Sequence, residues 1–260
     1  MGLIFDLDRI RAEPLVAELH FRAEVPSTND LALELAQRDE TDFPLLVLAE
    51  RQTRGRGRGR NRWWSAEGAL TFSLVLPMDA RAVAFDRRPL FSLTAGLAVC
   101  EALSSLVPGM DIGLKWPNDV YITGRKACGI LVEVPAARKD RAIVGIGINV
   151  NNSLARAPEP LCRTAISLYD AARRRFDVND VLIRVLRALG AEWEGLTADR
   201  SSPTERWQRY CMLTGQRIRV RQTHRMVEGI CQGIDEDGAL IVRTTDSVEH
   251  CFSGQVDPLG

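Results

Sequence analysis

The chain has 260 residues, 45% of them hydrophobic and 26% charged, enough to bury the core of one large domain or of a large and a small one. Its formal net charge is zero, and outside one short arginine-rich stretch 29 basic residues face 34 acidic ones, which argues against long nucleic acid as a general partner. The N-terminus lacks a basic start and an unbroken apolar run, no stretch reaches the roughly 18 consecutive apolar residues of a membrane span, and six scattered cysteines form no C-x-x-C pair, so the expectation is a reducing cytoplasm, no membrane and no structural zinc.

In chain order, "AELHFRAEV" alternates as a strand does, and Ser27, Thr28 and Asn29 then supply N-cap chemistry for a helix over "DLALELAQR". "PLLVLAERQ" and "ALTFSLVLP" read as two buried strands on either side of "QTRGRGRGRNRWW", residues 52–64. A long helix covers "PLFSLTAGLAVCEALSSLV". The segment "IGLKWPNDVYITGRKACGILVEV" gives three strands with a tight turn at Thr123-Gly124, and "RAIVGIGINVN" gives another. A second helical block, "VNDVLIRVLRALGAEWEGL", precedes a run of short strands from about residue 212. That change of pattern divides a larger unit, 1–211, from a small β-barrel-like one, 212–260.

The stretch 52–64 places arginines at 54, 56, 58, 60 and 62. It is too short and too closely bracketed by strands for a disordered RNA-binding tail. Gly55, Gly57 and Gly59 have the wrong spacing for a dinucleotide fingerprint, and a strand follows where a helix is required. As a loop between two sheet strands, its glycines let backbone approach an anion and its arginines offer bidentate bonds to phosphate or carboxylate. Five like charges so close together repel, so the empty loop is expected to be disordered until an anion orders it. Lysine is scarce: 31 of 34 cations are arginine, and two of the three lysines, Lys115 and Lys126, fall in one segment.

These motifs, "STN" at 27–29, Gln52 ahead of the arginine loop, "KWPNDVYITGRKACGILVE" at 115–133 and "GIGINVNN" at 145–152, resemble the biotin protein ligase family from about residue 20 to the C-terminal unit. The resemblance implies an α+β catalytic domain, with a mixed sheet flanked by helices as in class II synthetases, and a small SH3-like barrel. It implies that biotin is activated by ATP with Mg2+ as biotinyl-5′-AMP and passed to a lysine of a biotin carboxyl carrier protein. By the same resemblance Ser27, Thr28, Asn29, Gln52, Arg56, Gly57, Arg58, Lys126 and Gly129 bind biotin. Arg56, Arg58, Trp63, Asn118, Lys126 and Asn149 lie on the nucleotide side, and Lys126 and Arg56 are catalytic. The metal ligands are left open.

The chemistry of the residues agrees. Joining a carboxylate to a triphosphate brings two anions together, and the compact ammonium of Lys126 suits a position between them better than a broad guanidinium. Gly129, Gly145 and Gly147 would leave one sheet face bare for a flat ring system. Asp119 is expected to hold Lys115 or a metal-bound water. The loop departs from the family after Arg58, and Gly254-Gln255 stands where Gly-Glu is common. The 26 residues before Ser27 are too few for the winged helix-turn-helix of repressor members, so a ligase without that domain is expected. The R-x-x-G-G-G-x-V-x-H stretch of lipoate and octanoate enzymes, the alternative reading, is absent. No sheet edge for pairing two copies can be picked out, so a homodimer stays open.

Overall fold

The computed structural model describes residues 5–38, 41–78, 88–197 and 204–259. After a short helix α1 (Leu7–Arg11) the chain builds β1 (Glu18–Val25), α2 (Thr28–Leu35), β2 (Leu45–Gln52), β3 (Ala69–Pro77) and α3 (Arg88–Leu106). It continues with β4 (Ile112–Lys115), β5 (Asp119–Ile122), β6 (Arg125–Glu133) and β7 (Arg141–Asn149). These seven strands form one sheet in the order β1-β2-β3-β7-β6-β5-β4. β1 and β2 are parallel, joined by the α2 crossover, and every other pair is antiparallel. The sheet is therefore mixed, as expected.

The apolar runs of β2 and β3 do not alternate because both faces of the sheet are covered. Leu45, Val47, Val75 and Ile143 point to one face, where Ala32 and Leu35 of α2 and the following Ala36 meet them. Leu46, Leu48, Leu74 and Val144 point to the other, into the main core with α3 and α6 (Val178–Thr197). Between β7 and α6 come the short helices α4 (Leu161–Thr164) and α5 (Leu168–Ala172). Phe91 of α3 stacks on Trp193 of α6 with ring centroids 5.1 Å apart. By length and composition α3 could cross a membrane, yet 72% of its apolar window is buried inside the fold, where it serves as a core helix. The turn between β5 and β6 has positive φ at both Thr123 (48°) and Gly124 (75°), the signature of the tight type I′ hairpin.

Gly96 lets α3 settle on β4: a Cβ there would stand 2.7 Å from Leu114 Cδ1. Gly96→Val is expected to lower stability by about 2 kcal/mol through overpacking, read as an earlier midpoint in urea denaturation; an unchanged midpoint would refute this packing account.

After α7 (Thr204–Tyr210) the chain forms β8 (Arg217–Arg221), β9 (Met226–Ile234), β10 (Leu240–Arg243), β11 (Val248–Cys251) and β12 (Gln255–Pro258). They make a separate antiparallel sheet, β11-β10-β9-β8-β12, which is the small C-terminal β unit the short-strand pattern indicates. It is tied to the larger sheet at defined points. Cys211 bridges to Leu114 of β4, Met212 donates its N–H to the Leu114 carbonyl at 3.2 Å, and the buried Trp116 indole donates to the Gly238 carbonyl at 3.1 Å.

Candidate active site

Ser27 stands at the N-cap of α2 in extended conformation, but contrary to the sequence expectation its side chain makes no cap bond. Gln52, the last residue of β2, caps the helix in its place. Its Oε1 accepts from Thr28 N at 2.7 Å and from Thr28 Oγ1 at 3.1 Å. Capping of this kind satisfies an otherwise orphaned helix N–H. Ser27, free of the cap bond, lines the adjoining cavity.

Ser73, wholly buried in β3, donates to Asn29 Oδ1 at 2.6 Å and lies 2.8 Å from Thr28 Oγ1. Asn29 Nδ2 donates to Glu133 Oε2 at 2.9 Å and to the Leu131 carbonyl at 3.3 Å. The sequence motifs did not assign Ser73 or Glu133. The available hint for Ser73 was a hydroxyl inside an otherwise fully buried apolar strand.

The arginine loop is a small hairpin rather than an unstructured segment. Arg56 bridges Arg62, Gly57 N donates to the Asn61 carbonyl at 2.9 Å, Trp63 N donates to the Gly55 carbonyl at 3.0 Å, and Gly59 turns the chain with φ 61°. The five arginines therefore divide. Arg54, Arg60 and Arg62 are exposed, whereas Arg56 and Arg58 are half-buried. Arg56 donates to Asp30 Oδ1 and to Glu133 Oε1, each at 2.6 Å. Burial works against its charge, but Glu133 and then Asp30 outweigh that and raise its pKa. Arg58 instead meets Asn118 Oδ1 at 3.5 Å and the Gly254 carbonyl at 3.3 Å, and burial lowers its pKa against the opposing pull of Asp119.

Lys126 Nζ lies 2.7 Å from Asp119 Oδ1. This corrects the pairing expected for Asp119, whose carboxylate goes to Lys126 and not to Lys115. Burial, and then Asp119, push the neighbouring Tyr121 hydroxyl up to about 12. Asn118 Nδ2 donates to the Ile130 carbonyl at 2.6 Å and receives Arg58 on its other atom, so it pins the start of β5 to β6.

The glycine face is not bare, because the protein's own side chains cover it. Cβ atoms added at Gly147 or Gly129 would lie 2.7 Å from Trp63 Nε1 and 3.3 Å from Trp63 Cζ3 respectively, and one at Gly145 would lie 2.7 Å from Asn29 Cγ. The indole thus occupies the space the sequence pattern reserved for a ligand ring. Its buried Nε1 has no partner among the described residues.

A cavity of about 690 Å³ is lined by Ser27, Thr28, Asn29, Gln52, Arg56, Gly57, Arg58, Trp63, Asn118, Lys126 and Gly129. Lys115 and Asp119 also line it, as do Arg221 and Gly254 from the small sheet. Asn149 is the one sequence-assigned residue outside this lining: it is buried at the end of β7, with its Oδ1 accepting from Asn152 at 2.9 Å. Among the described residues no group of three or more His, Cys, Asp or Glu side chains could hold a metal ion.

A cleft to which turn, loop and hairpin supply amide, hydroxyl and cationic groups can hold a carboxylate beside a phosphate, as an acyl-activating ligase requires. The chain belongs to the Biotin/lipoate A/B protein ligase family, which matches residues 22–151, and residues 213–257 match the Biotin protein ligase C terminal domain. It is 34% identical to the biotin–[acetyl-CoA-carboxylase] ligase of Mycobacterium tuberculosis over 230 residues, 86% of this chain and 82% of that protein. It is 31% identical to the bifunctional ligase/repressor BirA of Bacillus subtilis over 253 residues, 95% of this chain and 76% of that one. Among solved structures, the biotin protein ligase from Aquifex aeolicus in complex with biotin and ATP is similar with a TM-score of 0.78 and 29% identity, covering 94% of this chain and 99% of that one.

Proposed function

We infer that the chain is an ATP-dependent biotin ligase that forms biotinyl-5′-AMP and transfers biotin to a lysine of a biotin carboxyl carrier domain in the cytoplasm. One observation carries this reading: groups far apart in sequence, the Ser27–Asn29 turn, Gln52, Arg58 and Lys126, line a single cavity. The family match and the ligase relatives support the same activity.

In this reading the ureido head of biotin meets the hydroxyls and amides at Ser27, Thr28, Asn29 and Gln52. The carboxylate then points toward Lys126, where it attacks the α-phosphate of ATP and pyrophosphate leaves. Arg58 has no carboxylate partner among the described residues, so its full charge is available to the incoming anions; Arg56 is already engaged by Asp30 and Glu133. Lys126 keeps its ammonium poised on Asp119 and can shift to the oxygens on which charge develops. In the second step the acceptor lysine amine attacks the anhydride carbonyl and AMP departs. Mg2+ typically binds through one or two carboxylates plus substrate phosphates, and Asp119, the only carboxylate on the cavity lining among the described residues, is the protein group that would help hold it there. Bound in that way, the ion would neutralise phosphate charge.

The test is direct. Given biotin, ATP and Mg2+, the purified protein is expected to release pyrophosphate, retain an adenylate and biotinylate a carrier domain, while lipoate gives no product. Turnover of lipoate without turnover of biotin would overturn the assignment.

A further inference from the structure

All six cysteines are free thiols, and two of them meet where the larger unit joins the small sheet. Cys211 follows α7 and bridges to β4 at Leu114, while Cys231 lies in β9. Two backbone bonds lay the turn after Cys211 along β9: Gly215 N donates to the Cys231 carbonyl at 2.9 Å, and Cys231 N donates to the Gln216 carbonyl at 3.0 Å. The two thiols hydrogen-bond to each other across this junction.

The two sulfurs differ in kind. Cys211 is partly exposed and Cys231 is buried. Leu213 N donates to Cys211 Sγ at 3.3 Å, and the Thr214 hydroxyl and amide and the Cys231 thiol converge on the same atom. Burial works against a thiolate there, yet these donors outweigh it and bring the Cys211 thiol down to about 7. The bond to Cys211, and then burial, hold Cys231 well above the usual thiol range. One sulfur is thus a reachable nucleophile, and the other a protonated thiol behind it. Cys162, also partly exposed, is moved the opposite way, upward, by its bond to Glu159.

We propose that Cys211 and Cys231 are a peroxide-sensitive dithiol that closes reversibly to a disulfide across the junction of the two sheets. The Cys211 thiolate attacks one oxygen of hydrogen peroxide, the O–O bond breaks, and the hydroxide that leaves takes up a proton as water, giving a sulfenic acid. The Cys231 sulfur then displaces that hydroxyl, which departs with the Cys231 proton as a second water. Two thiols are oxidised and one peroxide is reduced. The new bond fastens β9 to the chain anchored on β4, and so fixes the small sheet, which brings Arg221 and Gly254 to the cavity. A dithiol reductant reopens it by exchange. The pair is independent of the ligase reading.

Peptide mapping of the whole chain tests this without any activity assay. After brief exposure to hydrogen peroxide near neutral pH and alkylation of the remaining thiols in denaturant, a non-reducing tryptic digest is expected to contain peptides 210–217 and 226–243 joined by a disulfide. The joined pair should come from monomer on a non-reducing gel and disappear with dithiothreitol. Free Cys211 should be lost about tenfold faster than free Cys162. Cys231→Ser, which removes the second thiol, should stop at a sulfenic acid on Cys211 that dimedone captures, and Cys211→Ser should leave Cys231 alkylable. The parent result needs no variant to fold. Cys162 consumed before Cys211, a disulfide found only between chains, or both thiols still alkylable when Cys162 is spent would each overturn the proposal.

Discussion

Lys126→Ala is expected to slow biotinyl-adenylate formation by about a hundredfold to a thousandfold, the scale seen when one group aimed at developing charge is removed. The change acts twice. It deletes the ammonium from the cavity, and it takes from Asp119 the ion-pair partner that lies 2.7 Å away in the parent chain. Lys126→Arg should rescue poorly, because a planar guanidinium does not fit where a compact ammonium sits between two anions. The side chain is one-third exposed, so thermal stability and circular dichroism should stay close to the parent. Single-turnover pyrophosphate release is the measurement, and a rate within threefold of the parent would remove Lys126 from the chemistry.

The second large effect belongs to a residue with no side chain. Gly145 pairs with Ser73 across β7 and β3, and Asn29 crosses above it so closely that an added methyl would collide with Asn29 Oδ1. Gly145→Ala should therefore expel the carboxamide from its bonds to Ser73, Leu131 and Glu133. Loss of several buried hydrogen bonds at the pocket floor is expected to weaken biotin binding by about a hundredfold and to lower stability by about 2 kcal/mol. Calorimetric titration with biotin checks the first figure and urea denaturation the second. Near-normal binding would show that Asn29 does not shape the pocket.

The strands of the main sheet were legible because β1 alternates and the others are short apolar runs bounded by turn residues, and the helices at 88–106 and 178–197 because each is long enough for its composition to be unmistakable. Helices of four to seven residues at 7–11, 161–164, 168–172 and 204–210 carry too few turns for periodicity to register, and β12, ending in a proline, resembles a tail. In the site, Arg58 and Lys126 could be picked out by residue chemistry, and Gln52 by its place in a recognisable motif. Ser73, Asp30 and Glu133 could not, because their partners depend on strand register and on where α2 lands over the sheet. The partners of Arg56 escape the sequence for the same reason: local charge counting omits carboxylates supplied from 26 and 77 residues away. Asn149, two β7 residues beyond Gly147, sat close enough in sequence to suggest the cavity, but its carboxamide is engaged by Asn152 outside the lining.

Gln52 serves two masters, finishing α2 and facing the vitamin pocket with the same carboxamide. Any replacement there would blur recognition with folding, since the helix start at Thr28 loosens whenever that oxygen is lost or withdrawn. A ligand that draws that oxygen away must offer Thr28 N–H something in exchange, whereas one that accepts from the Nε2 amide leaves the helix entrance intact.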